Sequence, residues 1–85
     1  MKKVRVFPLG WIEEDAVEVL PGGTVCLKLI SRDKEGWIEV SCKNLEVNYG
    51  DFSEEFSELK MPYKYQVKQQ ILRYVHSLST FKRTV

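Results

Sequence analysis

Apolar and polar residues alternate along most of the first 50 positions, which is the period of a half-buried β-strand. The alternating stretches are residues 2–7, 16–20, 24–31, 37–42 and 45–49. Pro21-Gly22-Gly23 and the segment that ends at Gly36 separate them with residues that favour turns. Pro8 and Gly10 interrupt the chain after the first stretch, so we expect an edge strand or a β-bulge there. The pattern predicts an antiparallel meander of four to five strands.

The period changes to that of a helix beyond position 50. Phe52, Phe56 and Leu59 follow the i, i+4, i+7 spacing of a short helix. Asp51 and Glu54 have the three-residue spacing of a capping box, in which the two side chains bond the first free N–H groups of a helix. We therefore expect a short helix that begins near Asp51.

A second, longer helix is predicted after Pro62, because proline is favoured in the first helical turn. One stripe of this helix is apolar and is expected to face the core. Its members are Tyr63, Val67, Ile71, Tyr74, Val75, Leu78 and Phe81. The chain is thus predicted to be one α+β domain over residues 1–85, with the meander in 1–49 and both helices in 51–83. The long helix lies across one face of the sheet.

The hairpin over residues 25–42 has one register that separates apolar from polar side chains, with Arg32 opposite Trp37. The predicted core face then holds Val25, Leu27, Leu29, Ile38, Val40 and Cys42. The other face holds Cys26, Lys28, Ile30, Arg32, Trp37, Glu39, Ser41 and Lys43.

The two cysteines would therefore point to opposite sides of the sheet, which a disulfide cannot bridge. Cys42 is expected in the core and Cys26 half-exposed. There is no C-x-x-C motif, and the single histidine, His76, falls on the distant long helix. The sequence therefore predicts neither a disulfide nor a metal site.

The net charge of +1 hides an uneven distribution. Residues 1–59 carry 7 Lys/Arg and all 12 acids, a net of −5, whereas residues 60–85 carry 6 Lys/Arg and no acid, a net of +6. Such a split is typical of a basic binding arm. It is equally typical of a basic helix that packs against an acidic sheet or beside the acidic segment 51–58. Both alternatives stay open at this point.

No motif indicates catalysis. The acids of segments 13–15 and 51–58 are expected to be equally solvated, whereas acid–base catalysis needs carboxylates in different environments. There is no nucleophile elbow, no phosphate-binding glycine loop and no H-E-x-x-H motif. We expect a non-enzymatic protein without a cofactor. Arg5, Pro8 and the acidic run 13–15 interrupt the apolar start of the chain, and no apolar span follows, so we expect a cytoplasmic protein that binds no membrane.

Two surfaces are candidates for binding a protein partner or a second copy of this chain. One is the outer face of the hairpin and the other is the edge of the long helix, because exposed aromatic and arginine side chains are typical of protein interfaces. The candidate residues are Ile30, Arg32 and Trp37 on the hairpin, and Tyr65, Lys68 and Leu72 on the helix.

The alternative hypothesis is a module for single-stranded RNA or DNA, in which a tryptophan stacks on bases among basic side chains. The residues of this second site would be Lys28, Arg32, Trp37, Lys43, Lys82 and Arg83.

Overall fold

The computed structural model describes residues 2–78, and within them it contains six strands and two α-helices. The strands are β1 (Lys3–Val6), β2 (Gly10–Glu13), β3 (Glu18–Leu20), β4 (Thr24–Ser31), β5 (Lys34–Ser41) and β6 (Glu46–Asn48). The helices are α1 (Ser53–Ser57) and α2 (Met61–Ser77), and two 3-10 turns occupy Glu14–Ala16 and Gly50–Phe52. The predicted α+β architecture is confirmed: an antiparallel meander, a short helix and a long C-terminal helix.

The strands form one sheet in the order β1-β2-β4-β5-β6, and every pairing is antiparallel. Strand β4 is long enough to pair with two short strands along one side. Strand β2 pairs with its Leu29–Ile30 end, and β3 pairs with its Thr24–Cys26 end. Strand β1 lies at the edge of the sheet, as predicted from Pro8 and Gly10.

Helix α2 covers one face of this sheet and closes the core. Its Val67, Ile71, Tyr74 and Val75 are buried, which confirms the centre of the predicted stripe. Phe81 lies outside the described residues, and Tyr63 is a correction: its side chain is 39% exposed. The reason is that Tyr63 meets the β1–β2 turn rather than the sheet, with its ring edge-on to Phe7 at 6.2 Å between centroids. The β1–β2 turn contributes Leu9 to the core, and the strands contribute Val6, Ile12, Val25, Leu27, Leu29, Ile38 and Val40.

The register of the β4–β5 hairpin differs from the predicted one. Lys28, rather than Arg32, lies opposite Trp37, a shift of four residues, and Leu29 lies opposite Gly36. The turn is shorter than expected and consists of Arg32 and Asp33 alone, with Arg32 in the left-handed region at φ 57°. Because the shift is an even number, each side chain keeps its predicted face.

Gly36 explains the wrong register, because it lies inside β5 rather than in the turn. A Cβ atom at this position would come within 2.7 Å of the Asp51 side chain. The missing side chain lets the Asp51 carboxylate approach the strand, where its Oδ2 accepts a hydrogen bond of 3.1 Å from the Trp37 amide. The predicted capping box of Asp51 and Glu54 is therefore wrong, since neither short helical segment has a side-chain cap.

Strand β2 is the strand that the sequence did not predict. Gly10 was expected only to break the chain, yet it is the first residue of β2 and lies opposite Val6. A side chain there would collide with the Ile30 carbonyl of β4, so only glycine allows the two strands to approach at this point. The Ser31 hydroxyl donates a hydrogen bond of 2.7 Å to the Leu9 carbonyl. This bond joins the end of β4 to the β1–β2 turn.

The side chain of Gln70 attaches α2 to the end of β1. Its Oε1 accepts a bond of 3.0 Å from the Phe7 amide, and its Nε2 donates one of 2.7 Å to the Phe7 carbonyl. These are the two bonds that a neighbouring strand would make. The side chain of Gln70 thus occupies the place of a strand beside Phe7.

The hydrogen bond that the Asp51 carboxylate accepts from the Trp37 amide should contribute measurably to the stability of the fold. The variant D51A leaves the Trp37 amide without its acceptor, which should lower the free energy of unfolding by about 1–2 kcal/mol. Urea denaturation followed by tryptophan fluorescence measures this change. The matched control is E54A, which we expect to stay within about 0.5 kcal/mol because Glu54 makes no capping bond. Equal losses in both variants would contradict this assignment and restore the capping box.

Candidate binding surface

The face of the sheet opposite α2, here called the outer face, brings two tryptophans beside one isoleucine. Trp11 of β2 lies directly opposite Ile30 of β4. Trp37 of β5 lies opposite Lys28, which makes it a diagonal neighbour of Ile30. Diagonal neighbours on one face are within reach of aromatic side chains. Trp11, Ile30 and Trp37 therefore form a strip across three adjacent strands, here called the tryptophan strip.

The strip is accessible, and an arginine lies at one end of it. Trp11 is 41% exposed and Trp37 is 39% exposed, while Ile30 between them is half-buried. Arg5, opposite Trp11 on β1, places its guanidinium carbon 5.5 Å from the Trp11 ring centroid and 5.1 Å from that of Phe7. An arginine over aromatic faces is attracted by their ring electrons and held in a limited set of orientations.

Carboxylates outnumber cations on the outer face. The pairing places five acids there against three bases. Glu35 Oε1 lies 3.0 Å from Lys28 Nζ, and Glu13 Oε2 lies 4.0 Å from it. The hydrogen bond and charge of Glu35 raise the pKa of Lys28, so the ammonium is held in its charged form. The acids are Glu13, Glu18, Glu35, Glu39 and Glu46, and the bases are Lys3, Arg5 and Lys28.

The predicted partner-binding residues divide into two separate groups. Ile30 and Trp37 belong to the tryptophan strip, and Arg32 is exposed at the adjacent β4–β5 turn. Tyr65, Lys68 and Leu72 lie on α2, which packs on the other face of the sheet. Tyr65 is 67% exposed, Lys68 is half-buried, and Leu72 packs against the core. The structure therefore does not bring the helix edge and the hairpin face into one surface.

The residues of the nucleic-acid hypothesis are also dispersed. Lys28 is paired with carboxylates, as described above. Arg32 occupies the turn of the hairpin, whereas Lys43 follows the far end of β5, so the length of the hairpin separates them. Lys82 and Arg83 lie outside the described residues. The uneven charge distribution suggested that the basic helix could pair with the acidic segment 51–58. Within residues 2–78, no ion pair joins α2 to this segment.

Sequence reasoning missed Arg5, Phe7 and Trp11 as members of a surface. Their signal was the alternation of Gly10–Glu13, in which Trp11 and Ile12 point to opposite faces. Pro8 and Gly10 obscured this alternation because both residues are also typical of loops.

Both cysteines are free thiols. The expectation of a half-exposed Cys26 is wrong, since its side chain is buried between the neighbouring strands. Cys42 is half-buried and packs against the core, close to expectation. Burial, followed by the charges of Glu39 and Glu18, raises the pKa of Cys26, and burial alone raises that of Cys42. Neither environment activates a thiolate.

Tyr49 is another group with a shifted pKa, and it is structural. Burial raises its pKa to about 12, and its ring stacks on Phe56 with 3.7 Å between centroids. Its buried hydroxyl has no hydrogen-bond partner among residues 2–78. A phenol with this pKa stays protonated at neutral pH, far from the value that suits a general base there.

No three His, Cys, Asp or Glu side chains of residues 2–78 come together as a set of metal ligands. No helix in the same range has the length and apolar character of a membrane span.

Comparison of the chain with protein-family models, curated proteins and solved structures finds no significant match. Function is therefore inferred from the chemistry of the surface itself.

The environment of Cys26 leads to a pH-dependent prediction. In the variant C42S, the midpoint of iodoacetamide alkylation of Cys26 against pH should lie above the ordinary thiol value of 9.0, because burial and two carboxylates oppose the thiolate. Removing one of these charges with E39Q should move the midpoint to lower pH.

The control is Cys42 in the variant C26S, whose pKa is raised by burial alone. E39Q should leave its midpoint unchanged. An equal shift at both thiols would show that E39Q acts on the whole fold rather than on the field at Cys26.

Proposed function

We propose that this protein is a non-enzymatic binding module that recognises another protein through its outer face. The observation that carries this proposal is the tryptophan strip, two exposed tryptophans around a half-buried isoleucine on a face that no helix of residues 2–78 covers. Tryptophan and arginine dominate the energetic centres of protein interfaces. Large contiguous apolar patches on folded monomers mark interaction sites.

The charges of the outer face favour a protein over a nucleic acid. A nucleic-acid site needs cations that replace the counterions of the phosphates. The outer face instead carries two more acids than bases, and Lys28 at its centre is engaged by Glu35 and Glu13. A protein partner needs no such excess of positive charge, because burial of the aromatic rings drives its binding.

One observation supports the alternative, a site for single-stranded RNA or DNA. Trp11 supplies a second exposed ring beside Trp37, and Arg5 stacks between Trp11 and Phe7. Base-stacking proteins use such rings. This second function would require a binding constant that falls steeply with salt concentration, whereas burial of an apolar strip gives a shallow dependence.

Substitution within the tryptophan strip tests the proposal. W37A and W11A should each weaken the complex by about 2 kcal/mol, close to 30-fold in the dissociation constant. Affinity capture from a nuclease-treated lysate of the source organism, quantified by mass spectrometry, identifies the proteins that the wild-type chain retains and W37A loses. Titration of the purified partner then measures the constants, and sedimentation shows whether the partner is a second copy.

Y65A is the matched control, because Tyr65 is more exposed than either tryptophan but lies on α2. It should bind the partner like the wild type, whereas a loss in Y65A alone would place the interface on the helix edge. Thermal unfolding must show that W37A remains folded. If W37A unfolds, Trp37 belongs to the packing of the sheet, and the proposed strip is wrong.

A further inference from the structure

A groove opens at the end of the sheet where the tryptophan strip meets Arg5. Its walls are the β1–β2 turn, the β4–β5 turn and the end of α1, and its volume is about 760 Å³. This volume falls in the range of sites that hold small molecules or a few residues of a peptide. Trp11 and Arg5 line it and also belong to the outer face, so the groove and the tryptophan strip are continuous.

The groove is held in shape by contacts between its walls. The Ser31 hydroxyl bonds the Leu9 carbonyl at 2.7 Å, which fixes one turn against the other. The close approach of Gly10 to Ile30 fixes the strands beneath them. On the third side, Lys34 Nζ lies 2.9 Å from Glu55 Oε2 and joins the β4–β5 turn to α1. A preformed site of this kind loses little freedom on binding.

The groove contains two guanidinium groups that remain available to a ligand. Within residues 2–78, no carboxylate lies within ion-pair distance of Arg5 or Arg32, although Lys34 in the same groove is paired with Glu55. The hydrogen bond from Lys34 also lowers the pKa of the Glu55 carboxyl, so the two opposite charges neutralise each other at neutral pH. The guanidinium fork matches a carboxylate through two parallel hydrogen bonds.

Apolar rings stand beside these cations. Phe7 is 44% exposed and Trp11 is 41% exposed, and both line the groove next to Arg5. Two acids, Asp33 and Glu58, line the groove as well. A nucleic acid carries a negative phosphate at every nucleotide. A strand bound in the groove would therefore place phosphates against these acids. A peptide can place a single carboxylate at each arginine and an apolar side chain on the rings.

We propose that the groove binds an acidic peptide segment of the protein partner, with carboxylates on Arg5 and Arg32 and an apolar side chain against Phe7 and Trp11. This inference rests on the proposed function and specifies the chemistry of the partner.

Selection from a displayed library of random 12-residue peptides on the immobilised full chain tests the proposal. We expect enrichment of Asp or Glu beside aromatic or aliphatic residues. An enriched peptide, synthesised with a fluorophore, should bind in an anisotropy titration, and R5Q and R32Q should each weaken it by about tenfold. R5K, which keeps the charge but loses the fork, should fall between wild type and R5Q.

The matched control is R73Q, since Arg73 is an exposed arginine of α2 outside the groove. It should leave the affinity unchanged, and thermal unfolding should confirm that all variants are folded. Enrichment of basic peptides, the absence of any enriched peptide, or equal affinity of R5Q, R32Q and the wild type would overturn the proposal. Stronger binding of a ten-residue oligothymidylate than of the acidic peptide would also overturn it, in favour of a phosphate ligand.

The two proposals fail separately. If capture of the partner depends on Trp37 but not on Arg5 and Arg32, the proposal of a protein-binding module holds. The proposal that the groove binds an acidic segment of the partner is then wrong. If neither the tryptophans nor the arginines affect capture, both proposals are wrong.

Discussion

Burial of one face of the β4–β5 hairpin against helix α2 is the interaction on which the rest of the structure depends. Leu27, Leu29, Ile38 and Val40 are buried there. Because side chains alternate along a strand, this burial forces every intervening residue onto the outer face. Residues 2–78 contain only one long helix, so no second helix of this range covers the other face of the sheet. Exposure of Trp37 is thus a consequence of the core.

Alternation also explains why the faces could be predicted when the register could not. The predicted pairing was displaced by four residues, yet Ile30 and Trp37 still occupy the outer face. The true register depends on Gly36, whose missing side chain admits Asp51 to the edge of β5. That contact joins residues 14 positions apart. A local pattern of turn residues contains no information on this contact. The same pattern makes Gly36 resemble a turn glycine.

The surface was less predictable than the core for a related reason. Core positions repeat with the period of their element, whereas a surface depends on which elements become neighbours. Arg5, Phe7 and Trp11 come together through the pairing of β1 with β2, and Gly10 allows that hairpin to pack closely against β4. The helix edge was predicted with equal weight, yet α2 places it on the other side of the molecule and uses Leu72 in packing. Periodicity alone could not rank these two surfaces.

The distribution of charge along the outer face gives the proposed interface a direction. Arg5 and Arg32 lie at the end that contains the groove, together with Asp33 and Glu58, while the acids Glu18 and Glu39 flank Cys26 further along the sheet. Burial, followed by the charges of those two acids, raises the pKa of Cys26. A partner that places its carboxylates on the arginines must present neutral or basic residues at the opposite end, because like charges across an interface are unfavourable. The tryptophan strip would supply the affinity, and the two charged ends would fix the orientation in which the partner binds.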